Sequence, residues 1–229
     1  MPMLRRTFKV FRLGVLAGFL IGIGGAVNLQ LCSMDQPVLG GVFFSFGLMC
    51  VCLLGANLFT GKVGYVLEND RSYFLDVLIM SLGNVVGALL LGYLCGAIFP
   101  NWTVTTGTKF LYGEGTQWYG MILRGLGAGV FVYLAVECFK KVDSIPGKLV
   151  MICLSIGTMV ILGCNHSIAN VFYFGYAQIR NPGFEAGNAI VSVIVTMLAN
   201  SVGSLIVYLL QKGIFPEEPK PEEPQEENE

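Results

Sequence analysis

The sequence predicts an all-α membrane protein of six transmembrane helices, and three observations lead to this fold class. Of the 229 residues, 54% are hydrophobic and only 13% are charged, which is about half the charged fraction of an average soluble domain. Apolar runs that reach or exceed the roughly 20 residues needed to cross a bilayer recur along the chain. Two of these runs are over-long and are interrupted by glycine and polar residues. An ordinary soluble domain is therefore excluded, and the second and fifth helices are predicted to be broken.

The first three spans are predicted at residues 10–29, 38–67 and 73–99. The segment before them, residues 1–9, is basic, and a charged turn at residues 68–72 separates the second span from the third. Basic segments next to a span favour the cytoplasmic side of a membrane. Residues 1–9 are therefore predicted to be a cytoplasmic N-terminus.

The last three spans are predicted at residues 118–139, 149–176 and 188–210, after the longest loop, residues 100–117. Lysines follow the fourth and the sixth of the spans. With six crossings, these lysines share one side of the membrane with the basic N-terminus. Both termini are therefore predicted to be cytoplasmic, in the inner (plasma) membrane of a prokaryote.

Charge divides the chain into a membrane domain and a tail. The net charge of −1 hides this division, because the last thirteen residues hold seven glutamates and one lysine and the rest of the chain carries a net charge of +5. We predict a channel domain at residues 10–212. The acidic, proline-rich residues 213–229 are predicted to be a disordered cytoplasmic tail.

An internal repeat relates the first three spans to the last three. The pattern Asn-x-Val-Gly-small-Leu begins at Asn84 and again at Asn200, 116 positions later. Gly-x-Asn ends at Asn57 and at Asn165, 108 positions apart, and the first and fourth spans share a cluster of small residues at an offset of 111. A repeat of three spans must enter the membrane in opposite directions in its two halves. The sequence thus predicts two inverted three-helix repeats, an architecture in which broken helices in matching positions mark the solute path.

The two interrupted segments are predicted to form a pore. Residues 163–170 read Gly-Cys-Asn-His-Ser-Ile-Ala-Asn and contain His166, the only histidine of the chain; residues 55–62 read Gly-Ala-Asn-Leu-Phe-Thr-Gly-Lys. Polar groups are costly at bilayer depth and usually functional there, and irregular backbone survives there only against protein or a water-filled cavity. A histidine that only bonds a neighbouring helix is the alternative. Ser167 and Asn170 are expected to restore hydrogen bonds lost at the break, and Gly83, Gly87 and Gly203 to serve helix packing.

These two motifs, together with Leu-Arg-Gly at residues 123–125 and Leu-Ala-Val at residues 134–136, resemble the formate–nitrite transporter family over residues 12–210. The resemblance implies an aquaporin-like fold with one pore in each subunit and five subunits in a ring. It also implies a lipid bilayer as surroundings, no cofactor, and a small monovalent weak-acid anion as solute, such as formate, nitrite, lactate or hydrosulfide.

The resemblance also assigns site residues by position. The pore threonine becomes Thr60, the central histidine His166, and the vestibule lysine Lys109. Hydrophobic constrictions fall on Phe44, Leu48, Leu58 and Met159. The chain departs from the family at Asn57 and Asn165, where an acid is common, and at Gly129, where many members have asparagine. Such drift fits a hydrosulfide-conducting branch. Asn57 and Asn165 are predicted to belong to the pore site, and we expect solute preference to be decided at Asn165.

Chemistry at the centre of the pore would rest on the histidine. A basic vestibule formed by Lys109, Arg180 or Lys62 could concentrate an anion, and a proton supplied at the centre would let it cross as a neutral molecule. Histidine exchanges protons easily near neutral pH. We expect His166 to be mostly neutral at rest and to act as a donor or relay only when an anion is bound.

Two other functions are weighed against this one. A pore for neutral solutes would keep the fold, but the paired Asn-Pro-Ala signature of such pores is absent, since Leu and His follow the two asparagines. A membrane enzyme is disfavoured because the chain has one histidine and no Ser/His/Asp set. The seven cysteines lack the paired spacing of a zinc site, so no metal centre is expected.

Overall fold

The computed structural model describes residues 2–103, 108–112 and 117–212. Eight α-helices lie in these residues: α1 (Pro2–Cys32), α2 (Pro37–Leu53), α3 (Phe59–Lys62), α4 (Arg71–Ile98), α5 (Trp118–Lys141), α6 (Ile145–Ile161), α7 (Ser167–Arg180) and α8 (Ala186–Gln211). A 3₁₀ turn at Val63–Leu67 follows α3. The predicted disordered tail, residues 213–229, lies outside the described residues. The chain is therefore the all-α protein that the sequence predicts.

Four helices of the described chain, α1, α4, α5 and α8, are long and apolar enough to cross a membrane. The second and fifth predicted spans are each split in two, α2 with α3 and α6 with α7. The breaks cover residues 54–58 and 162–166, and each is shorter than the predicted interruptions at residues 55–62 and 163–170. The polar segments after them are helical again, so Thr60 and Asn170 lie on helices.

Glycines end α2 and α6 in the same way. Gly55 and Gly163 have φ angles of 63° and 69°, a left-handed conformation that residues with a Cβ atom adopt at a cost. The Ala56 amide then donates to the Val51 carbonyl and the Cys164 amide to the Met159 carbonyl, both at distances of 2.9–3.0 Å. This is the cap that commonly closes a helix before the chain turns away. The glycines of the two motifs thus produce the two breaks.

Helix α1 packs along α4, and α5 packs along α8. These pairs approach closely enough to exclude side chains at the crossing, because a Cβ atom on Gly87 would lie 2.0 Å from the Val15 carbonyl oxygen. On Gly203 it would lie 2.1 Å from the Leu126 carbonyl oxygen. The predicted packing role of these glycines is confirmed. Small residues are typical of membrane helix interfaces, where they allow backbones to touch.

One end of the molecule, which we call the basic end, holds the starts of α1 and α4 and the ends of α5 and α8. Arg6 forms an ion pair with Asp76 at 2.6 Å, which joins the starts of α1 and α4. Gln211 donates to the Tyr133 hydroxyl at 2.5 Å, which joins the ends of α8 and α5. The basic segments that the sequence placed on one side of the membrane therefore lie at one end of the fold.

The opposite end holds the ends of α1, α4 and α7. The Trp102 indole donates to Gln30 at 2.7 Å, and the Tyr176 hydroxyl donates to the Phe99 carbonyl at 2.9 Å. Trp102 also stacks on Phe99, with ring centroids 4.7 Å apart. The first part of the loop after α4 is thereby fastened over the helix ends at this side.

Large apolar side chains point outward from the long helices. Examples more than 60% exposed are Leu82, Leu123, Ile190 and Leu198. A soluble monomer rarely exposes apolar surface of this extent. The outer face is therefore suited to lipid or to another apolar protein surface.

Candidate functional site

The two broken segments meet at one hydrogen bond. The Oγ1 atom of Thr60, in α3, lies 2.9 Å from the Nε2 atom of His166, which directly precedes α7. Thr60 is completely buried and His166 is 4% exposed. Two polar side chains that are 106 positions apart in the sequence therefore lie together inside the helix bundle.

His166 is also the N-cap of α7, because its Nδ1 atom accepts a hydrogen bond from the Ala169 amide at 3.1 Å. A ring nitrogen that accepts a backbone N–H carries no proton, so the proton of the neutral ring lies on Nε2. Nε2 then donates to Thr60, and the Thr60 hydroxyl hydrogen remains available for another acceptor. The pair thus presents a hydroxyl donor that the histidine polarises, at the N-terminal end of a helix, where the dipole favours negative charge.

Asn200 holds the second break in place. Its Nδ2 atom donates to the carbonyl oxygens of Gly125 at 2.8 Å and of Asn165 at 2.9 Å. Its Oδ1 atom accepts the Ser167 amide at 2.9 Å. One buried side chain of α8 therefore ties the break before α7 to α5.

Asn84 makes the same three bonds in the other half of the chain. Its Nδ2 atom donates to the carbonyl oxygens of Gly14 and Asn57, and its Oδ1 atom accepts the Phe59 amide, each at 2.8 Å. The six bonded backbone groups correspond in pairs at offsets of 108 and 111, and the two asparagines at 116, which are the offsets that relate the repeated motifs. Sequence reasoning noticed the repetition of this asparagine but missed its role, which we describe as the asparagine clamp.

A small cavity lies beside His166, on the side that faces away from the basic end. It has a volume of about 20 Å³, and its lining includes Asn28, Phe44, Lys109, Met159, His166 and Asn170. This is enough space for one water-sized molecule. Three groups of residues predicted separately, the central histidine, two apolar constriction residues and the vestibule lysine, thus share one cavity.

The other two predicted constriction residues occupy different positions. Leu48 and Leu58 are 1% and 2% exposed and belong to the apolar core, outside the described lining of this cavity. Phe44 and Met159 therefore line the cavity, whereas a hydrophobic constriction at any of the four residues stays a prediction.

Lys109 lies in the loop between α4 and α5 and is exposed to solvent. It also lines the cavity. Its Nζ atom lies 4.9 Å from the centre of the Phe110 ring. Desolvation by the surrounding protein lowers the pKa of Lys109, Cys32 opposes this shift, and repulsion by Arg124 adds to it. The position suits a cation that attracts anions towards the cavity.

Lys62 is a second cation near the site, on the side of the basic end. It is half-buried at the end of α3, and its Nζ atom donates to the Oδ1 atom of Asn57 at 2.7 Å. The partner is a neutral amide, which does not compensate the positive charge of an ammonium group. Sequence reasoning named both residues but missed the bond, because nothing in the spacing shows that Lys62 folds back over the break.

Asn165 stands where the family resemblance leads one to expect an acid, and its amide links two other polar side chains. Its Oδ1 atom accepts from Asn170 at 2.5 Å, and its Nδ2 atom donates to Thr196 at 3.1 Å.

The expectation that Ser167 and Asn170 repair the backbone at the break is wrong. The Ser167 hydroxyl has no hydrogen-bond partner in the described part of the chain, and the backbone there is held by His166 and Asn200 instead.

Within the described ranges, no group of three or more His, Cys, Asp or Glu residues could hold a metal ion. The polar groups of the site are a histidine, a threonine, asparagines and lysines. This set can donate and accept hydrogen bonds and attract an anion.

Comparison with known proteins gives a family match over most of the chain. The family model described as formate/nitrite transporter matches residues 3–212. A formate-nitrite transporter of Entamoeba histolytica is 25% identical over 218 residues, which cover 86% of this chain and 60% of the relative. Formate-nitrite transporter 2 of Toxoplasma gondii is 29% identical over 202 residues (78% and 42%). The formate channel FocA of Haemophilus influenzae is 25% identical over 188 residues (73% and 66%). The chain thus spans about half the length of the first two relatives.

Two solved structures share the fold. A pentameric formate channel with formate bound has a TM-score of 0.74 at 21% identity, with 90% of this chain and 96% of that chain covered. An ion channel of the FNT family has a TM-score of 0.78 at 16% identity, with 90% and 94% covered. The helix arrangement described above is therefore that of these channels.

Proposed function

Because the chain belongs to the formate/nitrite transporter family, we propose that it is a channel or proton-coupled transporter for formate, nitrite or hydrosulfide, with neutralisation of the anion near His166. The observation that carries this proposal is the buried hydrogen bond between Thr60 and His166 at the meeting point of two broken helices. The family relatives are named as channels and transporters, and the site holds groups for binding rather than for bond cleavage.

The proposed architecture is two inverted repeats of three spans with a pore between the breaks. The asparagine clamps support it, since Asn84 and Asn200 bond matching backbone groups in the two halves. Membrane transporters commonly place the solute site where such repeats meet. In this arrangement the basic end faces the cytoplasm and both termini lie there. A prokaryotic inner membrane stays a prediction, since relatives occur in eukaryotes as well as in bacteria.

The proposed assembly is a homopentamer in a lipid bilayer. The structural neighbour with formate bound is described as pentameric. The outward apolar side chains of the long helices support both lipid contact and subunit contact. Each subunit contains its own Thr60–His166 pair, so each would have its own pore.

Capture of the anion would begin at the two lysines. Lys109 stands at the cavity on one side of His166, and Lys62 stands beside the break on the other. Positive charge at the mouth of a low-dielectric cleft raises the local concentration of anions. Asn57, bonded to Lys62, adds no negative charge that would repel them.

Crossing of the apolar centre requires loss of the charge, because an ion in an apolar interior retains a penalty of several kcal/mol even after relaxation, of order 20 kcal/mol in the idealised limit. The anion takes one proton at the Thr60–His166 site from a hydronium ion that enters from the same side, crosses as the neutral acid, and returns the proton to water on the far side. The Thr60 hydroxyl binds the anion while the Nε2–H group of His166 polarises that hydroxyl. The cap bond at Nδ1 supports an orienting and polarising role for His166 in this step, rather than that of a store for the proton.

The alternative function is an aquaporin-like pore for neutral solutes. The size of the cavity, about 20 Å³, favours it, since a water molecule would fit. Lysines on both sides of the site favour an anion, because water and glycerol gain nothing from a cationic mouth.

A solute panel tests the proposed function. We expect vesicles that contain the full chain to take up formate, nitrite or hydrosulfide faster than protein-free vesicles, and faster at pH 5.5 than at pH 7.5, because protonation becomes easier. Uptake is measured with labelled solutes or a sulfide electrode, and light scattering follows water and glycerol in the same vesicles. Protein-dependent passage of water and glycerol alone would establish the alternative.

A further inference from the structure

One residue that lines the cavity beside His166 has a side-chain oxygen atom without a hydrogen-bond partner among the described residues. Asn170 is completely buried and lines the cavity, and its Oδ1 atom has no hydrogen-bond partner in the part of the chain that the structure describes. A buried acceptor without a donor costs free energy, and native proteins rarely leave one without a reason. The acceptor therefore points to a molecule in the cavity that brings a donor.

The Asn170 amide is oriented with its nitrogen towards Asn165. Its Nδ2 atom donates to the Oδ1 atom of Asn165 at 2.5 Å, and the Nδ2 atom of Asn165 donates to the Oγ1 atom of Thr196 at 3.1 Å. All three residues are completely buried. The nitrogen of Asn170 is thus engaged, which leaves its oxygen for the cavity, and Asn165 acts as a positioning residue.

We propose that Asn170 Oδ1 binds the O–H group of the neutral acid, and that the pore therefore prefers oxyacids such as formic and nitrous acid to hydrogen sulfide. An O–H group is a strong donor, whereas an S–H group is a weak one. The formate and nitrite anions have no donor, so this contact forms only after they are protonated. The inference rests on the proposed function and names its substrate class: a small oxyacid.

The contact is distinct from the one between Thr60 and His166. Thr60 offers a donor, which suits the anion, whereas Asn170 offers an acceptor, which suits the protonated species. The two groups would thus serve successive states of the same solute. Removal of the Asn170 acceptor should change which acids pass, whereas replacement of an asparagine with only a structural role would not.

The test is competition against the uptake of labelled formate by vesicles that contain the full chain at pH 5.5. For wild type we expect unlabelled formate and nitrite to compete at lower concentrations than sulfide. Asn170→Leu should narrow the gap between oxyacid and sulfide about three- to tenfold, as loss of one hydrogen bond predicts. Asn170→Ala is measured as well, so that a failure of the leucine variant to assemble leaves the prediction testable.

Ser167→Ala is the matched control. The Ser167 hydroxyl is as buried and as unpartnered as the Asn170 oxygen, but Ser167 lies outside the described lining of the cavity. Its removal should leave the competition pattern unchanged.

The outcomes separate this inference from the proposed function. Protein-dependent uptake of sulfide with none of formate or nitrite would overturn the preference for oxyacids and keep the channel. Equal losses for oxyacids and sulfide in the Asn170 variants would overturn the contact. No protein-dependent uptake of any weak acid would remove the proposed function itself.

Discussion

Replacement of Asn200 by leucine should lower the stability of the solubilised protein by about 3–5 kcal/mol, among the largest effects of any single substitution. The change removes three hydrogen bonds at once and leaves the Ser167 amide and the Asn165 and Gly125 carbonyls without the clamp. Inside a bilayer no water is present to replace the lost hydrogen bonds, so the break would lose its fixed geometry. Thermal unfolding followed by tryptophan fluorescence should show a fall in Tm of roughly 6–20 °C by the scaling for chains of this size.

Asn84→Leu should cost as much as Asn200→Leu, because Asn84 makes the matching three bonds. Asn188→Leu is the control on the same helix as Asn200. Its side chain donates to Glu185 at an exposed position, so its loss should change stability by less than about 0.5 kcal/mol. A tolerated leucine at position 84 or 200 would contradict the view that the clamps hold the breaks.

Thr60→Val should reduce protein-dependent formate uptake about 10- to 100-fold, as expected for the loss of a buried hydrogen bond to a charged group. Valine has nearly the shape of threonine but no hydroxyl, so the donor for the anion disappears while the packing stays. His166→Asn should give a similar loss, since asparagine is a good N-cap and can still accept the Ala169 amide that Nδ1 accepts now. His166→Asn should therefore unfold near the wild-type temperature, whereas Thr60→Val leaves the buried Nε2–H group of His166 without an acceptor and should cost about 1–3 kcal/mol. Uptake is therefore measured well below the Tm of each variant.

Thr158→Val provides the control for the threonine substitution. Thr158 is exposed on α6, so the same chemical change there should leave formate uptake at the wild-type rate. Wild-type uptake and pH profile in Thr60→Val or His166→Asn would remove these residues from the transport mechanism and leave His166 as a helix cap alone.

The sequence was sufficient to predict the two breaks and the approach of their polar residues. Glycine with polar residues inside an over-long apolar run has few stable arrangements in a membrane, and the recurrence of Asn57 and Asn165 at matching positions related the two runs. Thr60 and His166 lie in contact as an expected consequence. The packing role of Gly87 and Gly203 could be predicted too, because small residues in apolar helices usually mark contacts between backbones.

Other parts of the site depend on three-dimensional details that no spacing reveals. The bond between Lys62 and Asn57 depends on the backbone path through the first break, which residue types alone do not determine. The role of His166 as a cap depends on the ring turning back towards Ala169. The bonds that anchor the second break come from α8 through Asn200, whereas sequence proximity suggested Ser167 and Asn170.

The central claim is that a weak-acid anion passes the Thr60–His166 site as a neutral molecule, and the coupling of formate to protons tests it most directly. Wild-type vesicles are loaded with a pH-sensitive dye, their membrane potential is clamped with potassium and valinomycin, and a formate gradient is applied, with Thr60→Val vesicles as the background. The account predicts one proton taken up for each formate and a rate that does not depend on the clamped potential. Protein-dependent formate uptake that leaves the internal pH unchanged and accelerates when the interior is positive would contradict it.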